Sequence, residues 1–348
     1  MQLFEHPIYS ADLNTVIHHF PLQQLKGKSV LITGSTGLIG SAIVDLLLAY
    51  NTQGGNIHIY AATLTKALTD ERFGQQRLLT PVLYNALEPV HFDFHADFII
   101  HAASPASPDL YIKTPVDTML ANIHGLDNLM KYAIHTHSDR VVYISSSEMY
   151  GKIEQSEAYY EDQQGYIDPL SIRSSYSMAK RAAETLCIAY AAQYKCHISM
   201  VRPGHIYGPT CTPSDHRVSS DFPRLAAAGL PIIMKSAGTQ LRSYCYCLDC
   251  ASAILHVLLH GENSTPYNIS NKNSIITIRK MAEIITSYAD VPLIMEIPSN
   301  SDRIGFNPMD NASLNSSRLE AIGWKGLFDA HSGFEHTVQI LRDISKNI

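Results

Sequence analysis

Lys28-Ser-Val-Leu-Ile-Thr-Gly34-Ser-Thr-Gly37-Leu-Ile-Gly40 is the stretch that decides the fold. Ser29 to Thr33 is a short apolar, β-branched run and reads as a buried strand. Three glycines follow, and Leu38 to Tyr50 then reads as a helix. Glycine is required where a turn must be tight, where backbone must approach a pyrophosphate, and where a helix packs on a strand. The first turn of the helix offers unpaired N–H groups and a positive dipole end to phosphate. A strand, a glycine turn and a helix in that order predict a dinucleotide-binding start to a parallel sheet.

Outward from this point the pattern repeats. Ile57 to Ala62, Phe98 to His101 and Arg140 to Ile144 read as further strands, and 115–134 and 176–193 as helices. Strands alternating with helices imply βαβ units and a sheet covered on both faces. The expected class is therefore α/β, a Rossmann-type doubly wound parallel sheet with a smaller C-terminal lobe. Residues 1–27 are expected to form a peripheral extension and 28–202 the NAD(P)-binding domain. Residues 240–260, a strand and then a helix, are expected to return to that domain. The substrate lobe is assigned to 203–239 and 261–348, where loops lengthen and Pro, Ser and Asn increase.

Composition narrows the function. The 348 residues are 45% hydrophobic and 17% charged, as in an ordinary globular protein. A formal net charge of −6 argues against a nucleic-acid binder. It leaves room for an anionic substrate held by local donors. The first twenty residues lack a positive region leading into an apolar run, and no stretch is long enough to span a bilayer. No membrane association is expected. The six cysteines do not follow the spacing of a disulfide-rich secreted domain, so a reducing cytoplasm is the expected setting. Cys245-x-Cys247-x-x-Cys250 resembles a metal-ligand spacing, but small apolar residues also fit a strand leading into a helix. No metal is expected.

Two further motifs carry chemistry. Tyr176-Ser-Met-Ala-Lys180 places a phenol and an amine on one helix face. An ammonium beside a phenol favours phenolate, which would equip Tyr176 as a general base. Ser145-Ser-Ser-Glu148-Met-Tyr150-Gly151 follows an apolar strand, where open α/β sheets bind ligands.

The G-x-x-G-x-x-G spacing, the Tyr-x-x-x-Lys pair and the serine run, in this order, resemble the extended short-chain dehydrogenase/reductases. That branch contains the nucleotide-sugar epimerases, dehydratases and decarboxylases, and the resemblance covers most of the chain. It implies catalytic roles for Tyr176, Lys180, Ser146, Ser147 and Glu148. Ser146 would hydrogen-bond the substrate hydroxyl being oxidised, and Glu148 takes the position of a catalytic acid or base in the lyase-type members. It implies cofactor contacts from Gly34, Thr36, Gly37, Leu38, Ile39, Gly40, Asn85, Ala102, Ala103, Ser104 and Asn122, with Tyr176 and Lys180. Substrate contacts would come from Ser107, Tyr111, His205, Arg217 and Arg242. In Arg202-Pro-Gly-His205-Ile-Tyr-Gly208-Pro, a histidine stands where the family pattern has the asparagine that contacts diphosphate. Arg242 matches the family's arginine for diphosphate or, in decarboxylases, for the sugar carboxylate, and a guanidinium fork suits either anion.

The stretch after the second strand, Thr63-Leu-Thr-Lys66, holds neither the carboxylate that contacts an NAD ribose nor an arginine for a 2′-phosphate. NAD is expected from the lyase-type relatives, with NADP open. The resemblance implies a nucleoside-diphosphate-sugar substrate, a homodimer paired through the helices 115–134 and 176–193, and a role in polysaccharide or glycoconjugate synthesis. The Ser147-Glu148 pair, Arg173-Ser-Ser-Tyr176 and Ser104-Pro-Ala-Ser-Pro108 place the chain nearest the UDP-glucuronate decarboxylases. The 4,6-dehydratases come next and the 4-epimerases third. A catalytically inactive NAD(P)-sensing protein is the alternative of a different class, and intact Tyr176, Lys180 and Ser146 argue against it.

Overall fold

A computed structural model describes residues 3–20, 22–106, 108–296 and 309–346. In chain order the first half forms α1 (Pro7–His19), β1 (Ser29–Thr33), α2 (Leu38–Thr52), β2 (His58–Thr63), α3 (Lys66–Phe73), β3 (Leu79–Leu83), β4 (Phe98–His101), α4 (Pro108–Lys113), α5 (Pro115–Thr136), β5 (Arg140–Ile144) and α6 (Ser174–Tyr194). The second half forms β6 (Ile198–Pro203), β7 (His205–Tyr207), α7 (Val218–Ala227), β8 (Ile232–Met234), β9 (Leu241–Tyr246), α8 (Cys247–His260), β10 (Pro266–Ile269), β11 (Ile275–Thr277), α9 (Ile278–Ala289), β12 (Leu293–Met295), β13 (Asn311–Ala312), α10 (Ser317–Ala321) and α11 (Ala330–Ser345).

The main sheet has seven strands in the order β10-β6-β5-β4-β1-β2-β3, all parallel. Alternation along β1 shows why both faces are buried. Val30 and Ile32 pack with α2 and α8, whereas Leu31 packs with α5 and α6. The chain therefore has the expected Rossmann-type architecture. The order reverses between β1 and β4, and a crevice opens there at the carboxyl ends of the strands. No described helix is long and apolar enough to cross a membrane.

Two boundaries differ from expectation. The strand at 240–260 does not return to the main sheet: β9 pairs with β7, β11 and β13 in a second, small sheet. Only α8 goes back, packing against the main sheet and α2. The strand that closes the main sheet is β10, parallel to β6, which lies within the segment assigned to the lobe. β9 is buried almost throughout, so its apolar run could not by itself say which sheet it joins.

The N-terminal segment is no peripheral extension. Helix α1 buries Tyr9, Leu13, Val16 and Ile17, and Phe20 follows just beyond its end. These positions fall at helical spacing, one stripe against α2, α8 and α11. Polar bonds fix the docking. The Tyr9 hydroxyl donates to Asp45 of α2 (3.0 Å), which also pairs with Arg72 of α3. On the other side Asp12 accepts from Tyr246 (3.0 Å) and lies 3.0 Å from the His336 ring. The helix thus ties the dinucleotide half to β9 and α11 of the lobe.

Candidate active site

The glycine turn works as its spacing implies. Gly34 has φ of +68°, and a Cβ there would lie 2.9 Å from the backbone of Ala103. At Gly40 a Cβ would lie 2.2 Å from the Gly34 carbonyl oxygen, so helix and turn touch backbone to backbone. Gly37 precedes α2 with no side chain capping the helix, which leaves the first N–H groups of Leu38, Ile39 and Gly40 for an anion. Thr36 lies within this turn. Beneath it, Thr33 is 2.8 Å from the His101 ring and its Oγ1 accepts from the Ala103 N–H (3.2 Å), joining the ends of β1 and β4. These residues fit a dinucleotide: backbone donors, no side chain in the way, and a helix dipole behind them.

The pair expected to be catalytic stands on α6 across from this turn. Tyr176 and Lys180 are both nearly buried. Lys180 Nζ donates to the Ile144 carbonyl at the end of β5 (2.7 Å) and sits 5.8 Å from the Tyr176 ring centre. Burial depresses the lysine from 10.5 to about 7. Ser146 hydrogen-bonds the Tyr176 hydroxyl and caps the turn Ser147–Tyr150 by accepting from the Glu148 N–H (3.2 Å). Burial nevertheless pushes Tyr176 up to about 12. The expected lowering by Lys180 is absent from the chain alone. The ammonium points to a carbonyl rather than to the phenol, and desolvation outweighs the Ser146 bond.

Glu148 reaches the same cleft. Its carboxylate accepts from Tyr111 (3.4 Å), Ser177 (3.2 Å) and both terminal nitrogens of Arg173 (3.4 and 3.5 Å). Tyr111 also stacks on Tyr176, with ring centres 5.1 Å apart. A cleft of about 150 Å³ is lined by Ile39, Ala102, Ser104, Tyr111, Ser146, Ser147, Glu148, Tyr176, Lys180, His205 and Arg217 with their neighbours. Most of the expected site residues are thus brought together. Asn122 stands behind, accepting from Ser104 (3.0 Å) and Tyr143 (3.3 Å), so it supports the wall. Asn85 lies at the end of β3, accepting from the Leu87 N–H (3.1 Å) and donating to Glu88 (3.0 Å), and does not line the cleft. Ser107 lies outside the described residues.

The far wall is cationic. Arg217 is held by Asp215 through two bonds of 2.9 and 2.6 Å. Arg242, 3% exposed, donates to the Leu241 carbonyl (2.8 Å) and has no carboxylate ion pair among the described residues. It is in register with Ala312, which lines the cleft. His205 Nδ1 is buried without a partner, and burial, then Arg242 and Arg217, bring its pKa down to about 3. A neutral ring therefore stands at the position of the family's asparagine.

Arg173 and Ser177 lie within the sequence motifs but carry no expected role there. Their spacing was a usable signal, since positions 173, 176, 177 and 180 share one face of α6. Cys245, Cys247 and Cys250 are all fully buried in the apolar core.

Comparison with known proteins agrees with this geometry. The model of the NAD dependent epimerase/dehydratase family matches residues 30–270. UDP-glucuronic acid decarboxylase 3 of Arabidopsis thaliana is 30% identical over 299 residues, covering 85% of this chain and 84% of the relative. UDP-glucuronic acid decarboxylase 1 of Xenopus tropicalis is 27% identical and covers 92% and 74%. Among solved structures, UDP-glucose 4-epimerase of Thermotoga maritima superposes with a TM-score of 0.76 at 19% identity, covering 91% of this chain and 99% of the other. The dTDP-glucose 4,6-dehydratase DesIV of Streptomyces venezuelae, solved with NAD bound, gives 0.74 at 22%, covering 90% and 97%. The low identity of the structural matches speaks for the fold, while the family model spans both the glycine turn and the Tyr176–Lys180 pair. The chain belongs to the NAD-dependent epimerase/dehydratase family and is an enzyme with NAD(P) as its cofactor.

Proposed function

We propose that the enzyme removes carbon dioxide from UDP-glucuronate through transient oxidation at C4. The observation that carries this is Arg242, a buried guanidinium beside the cleft with no carboxylate ion pair among the described residues. Nearby Arg173 and Arg217 are ion-paired with Glu148 and Asp215, whereas Arg242 has no such pair among the described residues. An uncompensated buried charge is costly, and an anionic substrate offsets it. The curated relatives named above are UDP-glucuronic acid decarboxylases, which supports UDP-glucuronate as the anion.

In this reaction Tyr176 takes the proton of the C4 hydroxyl, which Ser146 also holds. NAD, held by the glycine turn and Lys180, would supply the hydride acceptor for C4 and the hydride for its later reduction, so that no other redox partner would be consumed. The C4 ketone turns the C6 carboxylate into a β-keto acid. The C5–C6 bond breaks, its electron pair passes to the C4 oxygen, carbon dioxide leaves, and C5 receives a proton. Glu148, partly open to water, is the group placed to deliver that proton. Tyr176 gives its proton back as C4 is reduced, and the product is a UDP-linked pentose. Arg242, His205 and Arg217 hold the anionic parts of the substrate. Asn85 and Asn122 serve the cofactor side, Asn122 by bracing Ser104.

One observation favours 4,6-dehydration as the second reading: the residues between Tyr176 and Lys180 are Ser-Met-Ala rather than the Asp-Glu-Gly of the decarboxylase pattern. We further propose a homodimer formed through the outer faces of α5 and α6, where Met119, Leu120 and Ile188 are exposed. A monomer mass by light scattering at micromolar concentration would refute it. A cytoplasmic setting accords with six free thiols. A UDP-pentose would feed glycosyl transfer into polysaccharide or glycoconjugate.

The experiment is mass spectrometry of UDP-glucuronate incubated with the enzyme and NAD. Loss of carbon dioxide without accumulated reduced cofactor is expected, and Tyr176→Phe should lower the rate by about 10²–10⁴. An unchanged mass with a new retention time would mean epimerisation. Inertness towards UDP-glucuronate together with water loss from GDP-mannose or dTDP-glucose would establish the dehydratase.

A further inference from the structure

Glu148 is served by three donors from two separate elements. Arg173 and Ser177 lie on α6 on either side of Tyr176, and Tyr111 comes from α4. Arg173 spans both carboxylate oxygens, Tyr111 donates to Oε1 and Ser177 to Oε2. The fourth constraint is on the backbone, where the Glu148 N–H is held by Ser146. The guanidinium is also 6.0 Å from the Tyr111 ring centre, so it stands over the ring that stacks on Tyr176. Every one of these groups therefore touches both Glu148 and the immediate surroundings of the tyrosine.

The lengths matter. Contacts of 3.2 to 3.5 Å are long for charge-assisted bonds, which run at about 2.7–2.9 Å. The arrangement thus aims the carboxylate without gripping it tightly, and the side chain, 22% exposed, keeps contact with water. We infer that Arg173, with Ser177, is a positioning pair that aims Glu148 at the substrate carbon next to the one whose hydroxyl Tyr176 deprotonates. Because the pair shares a helix with Tyr176, the spacing between the C4 base and the C5 proton donor is set by one rigid element. Ser177 fills the first of the three positions at which the chain departs from the decarboxylase pattern, so that part of the departure is a substitution within the cradle. A small hydroxyl donor there completes what Arg173 and Tyr111 begin.

The inference rests on the proposed decarboxylation, and the test separates the two. Arg173→Met is expected to lower kcat about 10–100-fold, with KM for UDP-glucuronate within twofold of the parent. Arg173→Lys should recover part of the loss, and Ser177→Ala should show a smaller decrease in kcat alone. In a Glu148→Gln background, Arg173→Met should have no further effect. A rise in KM with kcat unchanged would make Arg173 a substrate ligand and overturn the proposal. An undiminished loss in the Glu148→Gln background would overturn it too, since Arg173 would then act independently of Glu148. If the parent enzyme leaves UDP-glucuronate untouched, the decarboxylation reading fails. Crystal structures of the parent and Arg173→Met then decide the cradle: Glu148 leaving Tyr111 and Ser177 supports it, and Glu148 staying in place refutes it.

Discussion

Lys180→Met exposes a conflict between folding and catalysis built into this site. The amine is 3% exposed, and burial brings it from 10.5 to about 7, with Glu184 opposing the shift only in part. Between those two values the unfolded chain keeps a proton that the folded chain has shed. Raising the pH through this window therefore favours the folded state, and lowering it towards 7 withdraws that stability. With 1.36 kcal/mol for each unit of difference, the lysine penalty shrinks by about 2 kcal/mol between pH 7 and pH 9. Methionine fills similar space without a charge, so Lys180→Met lacks this dependence. Losing the bond to the Ile144 carbonyl gives the variant an offset that does not vary with pH. The assay is urea unfolding of cofactor-stripped parent and variant at pH 7, 8 and 9, taking the difference at each pH so that other titrating groups cancel. With a slope of roughly 4 kcal/mol/M for a chain of this size, the gap between midpoints should move by about 0.5 M, the parent gaining as pH rises. A constant gap, or a parent that loses ground, would refute the claim that this amine is stripped of its proton by burial. Turnover should be abolished in the variant at every pH.

Two other perturbations test the frame around the site. Gly40→Ala should cost at least tenfold in NAD affinity by titration calorimetry, because the new Cβ would meet the Gly34 carbonyl at 2.2 Å and push helix and phosphate turn apart. Affinity equal to the parent would show that the turn yields freely. Leu13→Asp places a carboxylate at a position 2% exposed in the α1 interface, and a loss of about 3 kcal/mol or more in urea unfolding is expected. A change below 1 kcal/mol would mean that α1 is no part of the core.

The repeated strand and helix pattern, the glycine turn and the Tyr176–Lys180 pair were legible because each is local. Period, turn chemistry and helical spacing act over a few residues, and they placed β1, α2, β4, β5, α5 and α6 within two or three residues of their observed ends. The stripe of Tyr9, Leu13, Val16 and Ile17 is equally visible, but nothing local to it says which elements it packs against, since α2, α8 and α11 lie far along the chain. Among the site residues, the order Ser146, Glu148, Tyr176, Lys180 was enough to forecast one cleft.

Tertiary structure alone decided the rest. Whether β9 pairs with β6 or with β7 depends on contacts distant in sequence, and a strand buried on both faces reads the same in either sheet. The protonation of Tyr176 and Lys180 follows from how much water the surrounding elements exclude, which no spacing reveals; hence the pair that looks like a ready phenolate is a buried phenol near 12 and an amine near 7. The pairing of the arginines is likewise a property of their neighbours, since only the folded chain shows that Glu148 bonds Arg173 and Asp215 bonds Arg217. Sequence by itself determined which chemical groups the protein owns and the elements that carry them. Folding determined their charge states and partners, because both depend on burial and on distances between residues far apart in the chain.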